Sequence, residues 1–148
     1  MYTVATYLHS AVTQKYSPGA FVNVVVTASD SRMVLDAPAA GAVATQPSRG
    51  GGWTLDRGAT TGTGIDAVHI WAFPVWAGGL GPGRFVGLAQ LGIARPDISA
   101  VFGSQFAGAG FEFAIAGLPP GQYVITAYAH SVVTGTFSQQ TSALVSLQ

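Results

Sequence analysis

The sequence predicts an all-β sandwich, and three observations predict it. Short runs rich in Val, Ile, Thr, Tyr and Phe are divided by Gly and Pro turns. No long stretch carries the periodicity of an amphipathic helix. A hairpin-like segment also occurs twice: residues 2–27 align without a gap on residues 123–148, at an offset of 121. Tyr2, Tyr7, His9, Ser10, Val12, Thr13, Ser17 and Val24 match Tyr123, Tyr128, His130, Ser131, Val133, Thr134, Ser138 and Val145, giving 8 identities in 26 positions. A self-match spaced by about one domain length is the mark of a tandem array.

Taken in order, Tyr2–Ser10 and Ala20–Ala28 are two strand-like runs around Pro18-Gly19, the pattern of a hairpin with a longer loop. Ser29-Asp30-Ser31-Arg32 is polar and suits a linker. The organisation expected is a hairpin over residues 1–31 and a sandwich over 32–148. Met33–Asp36 opens the first strand of the sandwich, ended by Ala-Pro-Ala-Ala-Gly. Gly50-Gly51-Gly52 reads as a loop or bulge before Trp53-Thr54-Leu55-Asp56. Arg57–Gly64 is a Gly/Thr loop. Ile65–Phe73 is apolar on both faces, as a central strand covered by two layers would be. Arg84–Leu91 is a further strand, and Pro96 opens one helical turn expected to cross between sheets, with Asp97 available to cap it. Phe111–Ala116 alternates like a half-buried strand. Leu118-Pro119-Pro120-Gly121-Gln122-Tyr123 is a turn that delivers a tyrosine to the next strand, and the last two strands are the second copy of the hairpin. Seven to nine strands are expected in all.

Composition excludes several function classes. With 49% hydrophobic and only 8% charged residues the chain is too apolar to be disordered. Six basic against six acidic residues leave no electrostatic footprint for nucleic acid or anionic lipid. The absence of cysteine removes disulfides, thiolate metal sites and cysteine nucleophiles. Phe113–Gln148 has no charged residue, yet Pro119-Pro120-Gly121 and scattered Gln, Ser and Thr break it well short of a membrane span. Met1 is followed by no basic stretch and apolar core of a signal peptide. So low a charge content nevertheless favours an extracellular or cell-surface setting.

Gly52–Arg57, Gly64–Pro74, Ala94–Ile98 and Gly117–Tyr123, taken together, resemble a bacterial immunoglobulin-like repeat. The resemblance covers 33–148 as a whole domain and 2–28 as the closing hairpin of a preceding one. It implies a non-enzymatic stalk, spacer or adhesive module, with no catalytic residue and no cofactor. The cysteine pair of antibody-type domains is missing, which leaves packing around Trp53 and Trp71 to stabilise the fold.

The residues themselves give little to an enzyme. His9 and His130 occupy the same place in the two hairpins, which favours a structural role. His69 has Asp66 and Asp97 as candidate orienting partners, but no Gly-x-Ser-x-Gly elbow supplies a nucleophile. Gly62-Thr63-Gly64-Ile65-Asp66-Ala67 fits a dinucleotide pattern only formally, because a strand follows it. Asp36, Asp56, Asp66 and Asp97 are too scattered for a calcium loop. Trp76, in a Gly-rich excursion near Phe73 and Phe85, either folds over the sheet edge to cover it or is a candidate platform for stacking on a glycan.

The informative anomaly is the first hairpin. If the sandwich has its own closing hairpin, residues 2–28 form an additional pair of strands. Val4, Leu8, Phe21, Val22, Val24, Val25 and Val26 are its candidate contact residues, apolar on both faces. A two-stranded hairpin is marginal alone in water, and its edges are templates for pairing. Either the hairpin packs back on its own domain, or it adds to a second copy or a neighbouring repeat, joined head to tail by strand donation.

Overall fold

The computed structural model describes residues 2–24 and 28–148, with side chains described for 3–23 and 28–148. Among the described residues the chain is all-β apart from one short helix and one 3₁₀ turn. Tyr2–His9 (β1) and Tyr16–Val24 (β2) pair antiparallel as a two-stranded sheet of their own. The remaining strands form two further sheets. Ser31–Ala37 (β3), Ser48–Asp56 (β5), Gly110–Ile115 (β10) and Gln90–Ile93 (β9) lie in the order β3-β5-β10-β9. The other sheet runs β4-β12-β11-β6-β7: Val43–Ala44 (β4), Thr136–Leu147 (β12), Gly121–Ser131 (β11), Ile65–Trp76 (β6) and Gly79–Leu80 (β7). Arg84–Leu88 (β8) also pairs with β6.

Period-two alternation decides what each strand buries. Val68, Ile70 and Ala72 of β6, Ile125, Ala127 and Ala129 of β11, and Val145 and Leu147 of β12 point inward. They meet Phe111, Phe113 and Ile115 of β10, whose phenylalanines lie nearly parallel with centroids 6.3 Å apart. Each of these large side chains contributes roughly 1.5–3 kcal/mol by leaving water. A smaller cluster of Leu55, Ile98, Phe106 and Ala109, backed by Trp53 and Phe102, seats the helix Pro96–Phe102 (α1).

Four expectations change. Gly50-Gly51-Gly52 is not a loop but the middle of β5. A side chain at 50 would meet the Phe113 ring, one at 51 the Phe111 carbonyl oxygen 2.7 Å away, and one at 52 the Val34 carbonyl oxygen. Glycine is needed there because both neighbouring strands come too close for a Cβ. The run Arg84–Leu91 divides at Ala89 into β8 and β9, which belong to different sheets, so the crossing between layers happens here. Helix α1 therefore does not cross between sheets; it connects β9 to its own neighbour β10. Pro96 stands at its start as expected, but Asp97 makes no side-chain cap because Arg95 takes its carboxylate, at 2.9 and 2.7 Å. Finally, neither Trp53 nor Trp71 is fully buried: the main core is aliphatic and phenylalanine, and Trp71 points to the outer face of its sheet.

The turn before β11 behaves as its sequence suggests. Tyr123 is buried, and its hydroxyl donates to the Pro119 carbonyl, 3.0 Å away and four residues upstream. Gln46 closes the same turn from the other side: its Nε2 donates to Leu118 O and its Oε1 accepts from Leu118 N. Tyr123→Phe removes one net hydrogen bond and orphans a carbonyl. Its expected cost is about 1 kcal/mol, read as a lower urea midpoint at unchanged slope.

Candidate functional site

The first hairpin reproduces the register of the second at both of its ends. Tyr2↔Val24, Thr3↔Asn23, Val4↔Val22 and Ala5↔Phe21 are the counterparts of Tyr123↔Val145, Val124↔Leu144, Ile125↔Ala143 and Thr126↔Ser142. Near the loop, His9↔Tyr16 is the counterpart of His130↔Phe137. Both copies slip register by one residue in between, at slightly different places. In β1–β2 the slip falls at Thr6, whose hydroxyl is hydrogen-bonded to both the amide and the carbonyl of Ala20. The loops match too. Gln14 N donates to Ser10 O and Gly135 N to Ser131 O, both at 2.8 Å, and Gln14 and Gly135 share the left-handed conformation, with φ of 53° and 67°.

What differs is what surrounds the two copies. β11 lies between β6 and β12, whereas all described side chains of the first hairpin are exposed except the half-buried Ser10. Val4, Leu8, Phe21 and Val22 are 53%, 69%, 59% and 57% exposed. Val4 and Val22 oppose each other. Phe21, one residue along from Val22, turns to the other face, where it meets Tyr7 edge-on at 6.2 Å. The expected contact residues therefore divide between two faces, both apolar. Val24 pairs through its backbone with Tyr2; Val25 and Val26 lie outside the described residues. Another open edge belongs to β12. Among the described residues its outer backbone hydrogen bonds fall near its end, where Gly41 N donates to Leu144 O, Ser146 N to Ala42 O, and β4 pairs in parallel, while near its start the Ser138 hydroxyl meets that of Ser31 at 3.0 Å.

The junction after the hairpin is built on Asp56, at the end of β5. Its carboxylate is fully buried and accepts from the hydroxyls of Ser29 (2.6 Å), Ser31 (3.0 Å) and Ser131 (2.6 Å) and from the amides of Asp30 and Gly58 (2.9 Å each). Burial alone would raise its pKa, but the hydrogen bonds, led by Ser131 and Ser29, outweigh burial and hold it at about 2. Asp30 is held in turn by Arg32 and Arg57. The expected linker is thus pinned to the sandwich from Ser29 onward.

On the outer face of the β8-β6-β11-β12 surface lies a groove of about 500 Å³ lined by His69, Trp71, Phe73, Gly83, Tyr128 and Phe137. His69 sits 4.5 Å from Phe137 and 5.4 Å from Phe85, and Trp71 sits 5.4 Å from Phe85, centroid to centroid. Sequence reasoning missed this cluster by assigning both faces of β6 to covered layers. The signal was present in the alternation: His69, Trp71 and Phe73 share one parity, Val68, Ile70 and Ala72 the other. Trp76, the candidate stacking platform, lies outside the groove. It is 61% exposed, with Gly81 against its ring and Pro74, Pro82, Arg84 and Pro120 around it.

The acidic residues go to other partners. Asp66 pairs with His130, not His69, at 2.6 Å; its acceptance of the Nδ1 proton raises the His130 pKa. Asp36 and Asp97 both pair with Arg95, whose pKa rises. No three His, Asp or Glu side chains come together among the described residues. Asp66→Asn is expected to lower the His130 pKa toward its ordinary value. That result is readable by NMR titration of its ring protons, and an unmoved titration would contradict the pairing.

Among the described residues no helix is long and apolar enough to cross a membrane. No protein-family model matches the chain, and neither does any curated protein. Among solved structures, the crystal structure of an engineered protein overlaps 80% of this chain at 13% identity and a TM-score of 0.41. The chain spans 20% of that protein's length, and at this level of overlap the likeness carries no argument about fold or function.

Proposed function

We propose that this chain is a non-enzymatic structural or adhesive module of an extracellular or cell-surface protein, an immunoglobulin-like sandwich that associates head to tail through its N-terminal hairpin. The immunoglobulin-like part is supported by strand order. β3-β5-β10-β9 against β12-β11-β6 has the arrangement A-B-E-D against G-F-C, and Tyr123 makes the corner bond of that fold. The associating part rests on one observation: a hairpin with the register of β11–β12 has apolar side chains exposed on both faces. Unpaired edges and uncovered apolar faces in one element favour addition to another chain. Donor and acceptor surfaces differ, so the contact need not close and propagates as a filament.

Light scattering of 1–148 against 28–148, which keeps the Ser29, Asp30 and Ser31 donors to Asp56, with electron microscopy of the intact chain, tests this. Mass that grows with concentration only when the hairpin is present is the expected result. A full chain that stays monomeric at high concentration overturns it.

The aromatic groove favours a second reading, a glycan-binding accessory domain, because ring faces of this size stack on sugar C–H surfaces and Gln140, Thr126 and Ser142 continue the same face. A glycan array run with Trp71→Ala and Trp76→Ala separates the two aromatic sites. Absence of binding, or binding indifferent to both substitutions, removes this reading.

A further inference from the structure

We infer that the partner of the first hairpin is the body of another sandwich of this same build, in which β1–β2 occupies the place that β11–β12 occupies here, and that the hairpin cannot fill that place within its own domain. The inference rests on the reading of the hairpin as the associating element and names what it associates with.

The chemistry comes from the second copy. Ser131 donates to the buried Asp56 carboxylate, and His130 pairs with Asp66 at the start of β6. Ser10 and His9 stand at the identical positions of the first copy, in the same register and with the same loop hydrogen bond. Neither has a carboxylate partner among the described residues. The first hairpin thus presents a hydroxyl and an imidazole placed for two carboxylates that only a β5–β6 body supplies. On the face that would turn inward, Val4, Leu8 and Val22 stand where the buried Ile125, Ala129 and Ala143 stand.

The tether excludes closure within the domain. Ser29 and Asp30 are fixed at Asp56, beside Ser131, whose strand partner is Thr136. Were β2 to lie in the place of β12, Val24 would stand at the position of Val145. The strand from Thr136 to Val145 runs nine residues, roughly 30 Å. The chain from Val24 to Ser29 is five residues and reaches at most roughly 18 Å. The body that the hairpin closes therefore belongs to another repeat or chain, stacked end to end against the Asp56 pole of this one, and a complete copy of 1–148 offers that place only by releasing its own β11–β12.

The fit is to a related body, not to this one unchanged. Leu8 and Val22 replace alanines that are buried, and overpacking of that kind is destabilising. The test places a second copy of residues 28–122 ahead of the full chain, joining Gln122 to Tyr2, in the native form and with Leu8→Ala and Val22→Ala together. In the alanine form the added body is expected to fold as a second cooperative unit, with amide exchange in the hairpin slowed at least about 100-fold relative to the 1–148 chain. Adding Ser10→Ala should return about tenfold of that protection, the worth of a hydrogen bond to a carboxylate. If the added body stays unfolded in both forms while 1–148 still associates through its hairpin, this inference is wrong and the functional reading stands. If 1–148 does not associate either, both fall.

Discussion

Asp56→Ala is expected to cost about 3–5 kcal/mol, among the largest single-residue effects in the chain. Removal of this fully buried carboxylate strands three serine hydroxyls and two amides at the point where the linker, β5 and β11 meet. Asp56→Asn keeps the shape and one acceptor but turns an amide against hydroxyls that already donate, so about 2 kcal/mol is expected. Urea unfolding at pH 7 measures both. The same site sets an acid limit. Its folded pKa of about 2 lies below the ordinary 3.8, so between those values the unfolded chain binds more protons. The stabilisation, roughly 2 kcal/mol, is complete above pH about 4 and is lost as pH falls toward 2. Asp97, also held at about 2 through its hydrogen bonds to Arg95, adds a weaker, exposed contribution in the same window. The Asn variant should therefore lose most of the acid slope while Asp97 retains its share.

Gly52→Ala is the second large effect, about 3 kcal/mol or more, because the new methyl group is driven into the Val34 carbonyl and against the Phe111 ring. Relief requires β3 to part from β5. The expected signature is loss of cooperative thermal unfolding in circular dichroism. Gly41→Ala is the control for backbone strain: Gly41, unlike Gly52, has a positive φ, and nothing stands near its Cβ position, so a smaller loss is expected. Equal losses at 41 and 52 would contradict the steric account.

These two sites show what the sequence could and could not tell. The hairpin duplication was legible because eight shared residues fall on one frame, and the register and loop conformation repeat with them. The tyrosine delivered by Leu118–Gly121 was legible because the turn residues and the ring are adjacent in the chain. The triple glycine was misread because its reason lies in Phe111, Phe113 and Val34, which approach only after the sheet has formed. The aromatic groove was hidden for a related reason: alternation in β6 separates two faces, but which face meets the other sheet depends on β11 and β10. Asp56 looked like one scattered acid among four. Its importance comes from Ser29, Ser31 and Ser131, brought together by the fold.

The claim that the first hairpin is a contact element rather than a folded-back part of its own domain comes down to one measurement, amide hydrogen exchange of Val4–Leu8 and Phe21–Asn23 as a function of protein concentration. Fast exchange in dilute solution and protection that grows with concentration are expected, while Ile125 and Val68 in the sandwich stay equally protected throughout. Hairpin amides already protected in dilute solution, or unprotected at every concentration, would contradict it.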